Sequence, residues 1–345
     1  MTLSVLVVGL GSIGQRHARN LRSILGKNLV LSALRSKRGG FVIADQRALS
    51  SSDPEADCDG GVYTDLDKAL NVKPDIVVVC NPTSLHIEVV RAAVRSGAAV
   101  FVEKPISNDL RGLAELADFV KEKGTIVGVG CQMRFHPALI SLRALLKDEA
   151  LGKLIAVNSV QAEYLPSFHP YEDYRHSYAA RSDLGGGVVL TQIHEIDYLQ
   201  WLFGLPTSIF AVGGHISELE IDVEDSASTL FAFENDGNPL AVHLHTDYLQ
   251  QPPIRKCLVM GIKGIIDVDF LKPSLIWTNR KGEVELAEYY PGFTRSQMYL
   301  DEMRHFLAAA RGDQEVMVGL SYAIDTTRIA LALRHSLSSG RLEYL

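Results

Sequence analysis

Ser4-Val5-Leu6-Val7-Val8-Gly9-Leu10-Gly11-Ser12-Ile13-Gly14 opens the chain with an apolar run that breaks into glycines spaced G-x-G-x-x-G. The run reads as a buried strand. The residues that follow, Gln15–Leu25, put Ala18, Leu21 and Leu25 on one helical face. A strand that turns through glycines straight into a helix is the entry to a dinucleotide-binding unit. Gly9 permits the tight turn, Gly11 lets backbone approach a pyrophosphate, and Gly14 lets the helix pack closely on the strand. Ser12 and Ile13 lie at the helix N-terminus, whose exposed amides receive the phosphates. A bare Gly-rich turn is the rival reading, because 28 glycines produce chance spacings; the flanking strand and helix favour the site.

Working outward, strand and helix alternate. Leu29–Leu34, Gly61–Tyr63, Asp75–Cys80, Ala99–Val102 and Thr125–Cys131 read as strands, and Leu66–Leu70, Ser84–Arg95 and Asp109–Lys123 as helices. Gly39 to Asp59 is polar and indistinct. The unbroken apolar run in Asp75–Cys80 suits a central parallel strand covered on both faces. This alternation predicts right-handed crossovers and an N-terminal Rossmann domain, a doubly wound parallel sheet, over residues 1–125. Beyond about residue 150 the pattern becomes strands joined by turns: Leu154–Glu163, Ile209–His215, Ala227–Glu234, Ala241–Asp247, Lys256–Gly261 and Gly264–Asp269. Helices are expected at Thr191–Phe203, Ser296–Arg311 and Ser321–Ser339. Residues 126–345 thus read as an α+β domain with an open, mostly antiparallel sheet that needs covering by helices or by another copy.

A chain of 345 residues with 47% hydrophobic and 22% charged content suits two soluble globular domains. The net charge of -7 argues against nucleic acid. No apolar stretch approaches the ~20 residues that span a bilayer, and the chain runs into its first strand without a leader, so the expected location is cytoplasmic. Cys58, Cys80, Cys131 and Cys257 are scattered without metal-type spacing, so no metal is expected, and Cys80 and Cys131 read as small buried hydrophobes.

Where an acidic residue would grip a ribose 2′-hydroxyl, ~20 residues past the glycines, stands Leu34-Arg35-Ser36-Lys37-Arg38. Arg35, Ser36 and Arg38 suit a 2′-phosphate, favouring NADP(H) over NAD(H), with solvated loop charges as the alternative. Phe101-Val102-Glu103-Lys104-Pro105 ends another buried strand and sets Lys104 over the ligand crevice of the sheet. Pro105 keeps Lys104 out of the helical region. An ordinary lysine in a strand-to-helix loop is the competing reading.

Four features occur in order: the glycine fingerprint, Asn81-Pro82-Thr83-Ser84-Leu85-His86, Glu103-Lys104-Pro105, and Gly185-Gly186-Gly187 ahead of His194-Glu195-Ile196-Asp197. Together they resemble the glucose–fructose oxidoreductase, inositol dehydrogenase and MocA superfamily, from Val5 to about Leu345. The resemblance implies NAD(P)-linked oxidation or reduction of a hydroxyl on a sugar, sugar derivative or nucleotide-sugar, and a homo-oligomer, dimer or tetramer, built through the open sheet. It implies that Lys104 and His194 border the nicotinamide as catalytic residues, with Asn81, Pro82, His86 and Glu103 on the cofactor side. The family commonly places an Asp four residues before that His, or close to it. Here Leu190 stands there with Thr191 next, and Asp183 is a remote substitute.

Hydride transfer asks the protein mainly for positioning, so the companion proton is the harder part. Lys104 can supply positive charge to a developing alkoxide, and His194 has the natural pKa for proton exchange near neutrality. Asp197, three residues on, either orients His194 or pairs elsewhere. The loop holding Tyr171, Arg175 and Arg181 suits sugar hydroxyls or a phosphate, and equally an ordinary surface or subunit contact. Arg134 and His136 either approach substrate or pack the domain junction. Two rival functions remain: a non-catalytic dinucleotide-binding regulator, and a redox-neutral enzyme that oxidises a sugar transiently.

Overall fold

The structure, a computed structural model, describes residues 2–36, 42–43, 49–50, 53–235 and 237–345. Lys37 and Arg38 lie outside the described residues, as does about half of the indistinct stretch. The chain forms two compact units, Met1–Cys131 with Tyr299–Ile324, and Gln132–Met298 with Asp325–Leu345.

In the first unit the order is β1 (Leu3–Val8), α1 (Ser12–Leu25), β2 (Leu29–Leu34), a short pair β3 (Val42–Ile43) and β4 (Leu49–Ser50), β5 (Gly61–Tyr63), α2 (Leu66–Leu70), β6 (Ile76–Val79), α3 (His86–Ser96), β7 (Ala99–Glu103), α4 (Leu113–Lys123) and β8 (Val127–Gly130). Six strands form one parallel sheet in the order β5-β2-β1-β6-β7-β8. The order reverses between β1 and β6, and such a switch point is where open α/β sheets take ligands. Alternate side chains face opposite layers, the reason these strands are apolar throughout. Leu6, Val8, Val77, Val79, Val100 and Val102 pack with Val90, Val94, Leu113 and Leu116. Val5, Val7, Ile76, Val78 and Phe101 pack with Leu21, Met303, Phe306 and Leu307. Each such side chain contributes about 1.5–3 kcal/mol on burial.

A single boundary at 125/126 does not describe these units. β8 remains in the first because it pairs with β7 and because the Val129 amide donates to the Val318 carbonyl at 2.9 Å. The Phe306 ring sits 5.2 Å from that of Phe101. A Cβ on Gly128 would come within 2.8 Å of the Phe306 ring, so glycine there makes room for the returning segment.

In the second unit follow α5 (Pro137–Lys147), β9 (Leu154–Ala162), α6 (Val188–Thr191), α7 (His194–Phe203), β10 (Ser208–Gly214), β11 (Ser226–Asn235), β12 (Asn238–Asp247), β13 (Ile254–Gly261), β14 (Gly264–Asp269), β15 (Ser274–Asn279) and β16 (Val284–Tyr289). α8 (Arg295–Ala310), α9 (Leu320–Ser339) and β17 (Glu343–Tyr344) close the chain. The nine-stranded sheet runs β16-β15-β14-β13-β9-β12-β11-β10-β17. Its neighbours are antiparallel save β9 with β12, which are parallel. One face buries Phe231, Phe233, Val242, Leu244, Val259 and Ile266. The opposite face leaves Phe210, Val212, Leu230 and Ile265 exposed. The sequence reading has no counterpart for α5, β15 and β16. The expected helix Thr191–Phe203 is two pieces, α6 and α7, separated by Gln192 and Ile193. No helix among the described residues is long and apolar enough to cross a membrane.

Candidate active site

The glycine turn shows three different physical demands. Gly9 has φ +92°, and a Cβ there would lie 2.9 Å from the Cys80 carbonyl oxygen at the end of β6. A Cβ on Gly14 would lie 1.9 Å from the Gly9 carbonyl oxygen, which is the closeness of α1 to β1. A Cβ on Gly11 would meet nothing within 4 Å, so this glycine faces open space. α1 starts at Ser12, with Gly11 as its N-cap and no side chain capping it, so its first amides are offered to a ligand. At the neighbouring strand end, the Asn81 side-chain oxygen is buried with no hydrogen-bond partner among the described residues. An open glycine, an uncapped helix start and an orphaned acceptor at the sheet's switch point fit a dinucleotide. Gly9, Gly11, Ser12, Ile13, Gly14 and Asn81 are the residues that would hold it.

Arg35 follows β2, and its guanidinium donates to Glu55 at 2.9 Å, both side chains mostly buried. Ser36 beside it is exposed. Glu55, which sequence reasoning missed, comes from the indistinct stretch before β5, where no periodicity marked it.

At the end of β7, Glu103 is buried and takes His17 of α1 at 2.7 Å. Its other carboxylate oxygen accepts the Lys104 amide at 3.3 Å. His17 is fully buried, edge-on to Phe101 with ring centres 5.0 Å apart. The pair ties the nucleotide helix to the strand end that carries Lys104, which is half-buried, so Glu103 faces α1. His86 is 1% exposed. Its ring nitrogens meet the Asn81 carbonyl at 2.8 Å and the Pro105 carbonyl at 2.9 Å, stapling the loops after β6 and β7. Burial pushes its pKa below the usual histidine value. Pro82 lies in the same turn, half-buried.

In the second unit His194 is the first residue of α7 and 7% exposed. The side-chain amide of Gln132, itself 2% exposed, donates to its Nε2 at 3.0 Å. Asp197 accepts a two-pronged bond from Arg134, Nε to Oδ2 at 3.0 Å and Nη2 to Oδ1 at 2.8 Å, with the two side chains 2% and 0% exposed. Asp197 therefore pairs with Arg134, and the Arg134 guanidinium also lies 5.2 Å from the Trp201 ring centre. Fully buried Glu195 accepts from Arg255 at 2.7 Å. Leu190 is wholly buried in the core of this unit.

The other candidates are placed apart from these contacts. Tyr171 stacks on His169, ring centres 5.4 Å apart. Arg175 is exposed and pairs with Asp173 at 2.6 Å and Glu220 at 3.0 Å. Asp183 pairs with Arg181 at the surface, and Thr191 is buried on α6 beside the Tyr248 hydroxyl. His136 is buried between Phe270 and Phe293, ring centres 5.1 and 4.9 Å away. Burial first, then the Arg255 charge, lower its pKa to about 4. Among the described residues no three His, Cys, Asp or Glu side chains gather as a metal site. Gln132 and His17 carried no sequence signal beyond their positions, one just past a strand and the other a histidine on an otherwise ordinary helix.

Residues 3–131 match the oxidoreductase family with an NAD-binding Rossmann fold, and residues 139–267 match the GFO/IDH/MocA C-terminal domain. The scyllo-inositol 2-dehydrogenase (NAD(+)) of Bacillus subtilis (strain 168) is 30% identical over 347 residues, covering 97% of this chain and 94% of that one. An NAD binding oxidoreductase from Klebsiella pneumoniae superposes with a TM-score of 0.81 at 18% identity, covering 100% of this chain and 99% of that one. The WlbA dehydrogenase from Bordetella pertussis, solved with NADH and UDP-GlcNAcA, gives 0.79 at 17% identity with the same coverage. With its nucleotide cradle, its Glu-Lys-Pro strand end and both matched domains, the chain belongs to the Gfo/Idh/MocA family of NAD-binding oxidoreductases.

Proposed function

We propose that this protein oxidises or reduces a hydroxyl-bearing carbon of a polyol, sugar or nucleotide-sugar, a reading supported by its inositol dehydrogenase relative and by the structural neighbour solved with a UDP-sugar. The observation that carries the reading is the open cradle over Gly11 in the same parallel sheet whose β7 ends in Glu103-Lys104-Pro105. When bound, the nicotinamide supplies or accepts the hydride. Lys104 holds positive charge against the substrate oxygen as it becomes an alkoxide, and His194 takes or returns that oxygen's proton. Tyr171, Arg175, Thr191 and Arg134 were candidates for substrate contact. Arg134 is better read as support, since Asp197 holds it in the interior.

Within this reading the preferred cofactor is NADP(H). Arg35 presents a guanidinium suited to a phosphate, at the end of β2 beside exposed Ser36. The protein works as a homo-oligomer, a dimer or tetramer, that covers the exposed outer face at Phe210, Val212 and Leu230; patches of this kind mark contact surfaces.

The test is reduced-nicotinamide absorbance with NADP⁺ and NAD⁺ against inositols, sugars and nucleotide-sugars, repeated on Lys104→Ala and His194→Ala. Turnover abolished by both, with dinucleotide binding intact, is expected. Tight dinucleotide binding with no absorbance change across the panel would overturn the reading in favour of a regulator or a redox-neutral enzyme. Arg35→Ala should lower kcat/KM with NADP⁺ by about tenfold or more while sparing NAD⁺.

A further inference from the structure

We propose that His17 is a positioning residue for hydride transfer: through the carboxylate of Glu103 it fixes the backbone at Lys104 to the helix whose first amides take the dinucleotide. The proposal rests on the reading of Lys104 as the group that meets the substrate oxygen.

Gly14, His17 and Leu21 share the buried side of α1. Gly14 sets the closeness of helix to strand and Leu21 packs in the core, so an apolar residue at 17 would continue a dry face. Histidine stands there instead, fully buried beside Phe101 and Tyr299, with ring centres 5.0 and 6.2 Å away. Its Nε2 donates to Glu103 Oε1 at 2.7 Å, and its Nδ1 has no partner among the described residues. The second oxygen of the same carboxylate accepts the Lys104 amide at 3.3 Å. On the other side of Lys104, the His86 ring holds the Pro105 carbonyl at 2.9 Å. Because α1 starts at Ser12, His17 lies only about 7.5 Å along the axis from the helix's first residue.

Two features separate this arrangement from simple packing. A buried His–Glu pair is a poor device for stability: taking both groups out of water offsets their attraction, and hydrocarbon of similar volume holds a core as well or better. What the pair supplies is direction, a short contact from the middle of a helix to the end of a strand. The carboxylate then uses its other oxygen on the backbone N–H of Lys104 itself. Hydride transfer rewards that rigidity, since a misplacement of about 1 Å costs on the order of a hundredfold in rate. Cofactor and Lys104 are thereby referred to one frame instead of to two separate loops.

The double variant His17→Leu/Glu103→Met replaces the pair with hydrocarbon. It should unfold in urea at or above the wild-type midpoint and bind dinucleotide, by calorimetric titration, as wild type does. Its kcat should fall by about tenfold to a hundredfold. His17→Gln, whose amide nitrogen donates to Glu103 as Nε2 does, should keep most of kcat, whereas His17→Leu should not. Nitrogen NMR of the cofactor-free, histidine-labelled protein should show the Nε2 of His17 protonated, with His17→Gln identifying the signal. Wild-type kcat in the double variant, equal kcat losses in His17→Gln and His17→Leu, or an unprotonated Nε2 overturns the proposal and leaves a packing role. Weakened dinucleotide binding with kcat unchanged overturns it in favour of direct cofactor contact by Glu103. If the double variant does not fold, the comparison of Gln with Leu and the NMR signal decide. With Lys104→Ala inactive, each of these failures belongs to the proposal alone. If Lys104→Ala turns over at the wild-type rate, the reading of Lys104 fails and the proposal with it.

Discussion

At position 14 a methyl group would lie 1.9 Å from a backbone oxygen, whereas at position 11 it would meet nothing within 4 Å. The two glycines should therefore fail in different ways. Gly14→Ala forces α1 off β1 and should cost about 1–3 kcal/mol of stability, read by urea unfolding. Gly11→Ala should leave the unfolding midpoint near wild type while weakening dinucleotide binding by tenfold or more, on the order of 1.4 kcal/mol, read by calorimetric titration. The Arg134–Asp197 pair gives a second residue-level expectation. Arg134→Met leaves a buried carboxylate without its cation and should cost about 3–5 kcal/mol; an Arg134→Met/Asp197→Leu double variant should recover much of that. The glycine roles were legible because spacing, strand and helix all lie within fourteen residues. The partner of Asp197 was not: three-residue helical spacing points at His194, whereas the guanidinium comes from 63 positions away. Sequence periodicity holds no information on such a contact.

Elements were legible where one face or both faces are dry. β2, β5, α2 and β14 have the bounds expected from pattern alone, since buried strands and amphipathic turns write their period into the sequence. β16 escaped because it is an edge strand with exposed Val284, Glu285 and Tyr289, and edge strands carry charge that blurs alternation. α5 escaped although Pro137 stands in its first turn. His136, its N-cap, gives the element a pH signature. Its folded pKa, about 4, lies below the ordinary histidine value of 6.5, so between those values the unfolded chain binds the extra proton and stability rises with pH. The contribution is complete above about pH 6.5 and is lost as pH falls toward 4. Unfolding free energy should drop by about 2–3 kcal/mol between pH 7 and pH 4.5 from this group. His136→Phe should flatten that part of the curve measured by denaturant titration at each pH.

For the whole molecule, the two architectures expected from the sequence are both present, and their division is the part that pattern could not give. Leu230 is 50% exposed and Val212 63% exposed on a sheet face whose other side is core. If the proposed homo-oligomer forms through this face, Leu230→Arg should reduce it to monomers, read by light scattering beside the wild type, with far-UV circular dichroism unchanged. A wild-type mass of one chain, or a mass unchanged by the substitution, would overturn this face as the oligomer contact. The crossing of the chain between units was illegible because Phe306 and Val318 look like any other apolar residues. Only their partners, Phe101 and Val129, reveal where they belong.

That crossing has a consequence for birth on the ribosome. The nucleotide-binding unit is encoded first, yet the side chains that seal Phe101 and the carbonyl that receives the Val129 amide are made only after residues 132–298. At ordinary elongation rates that is a wait on the order of ten seconds or more. Through it one flank of the parallel sheet stays open, and the unit whose translation begins first cannot finish folding until residue 324 has been made.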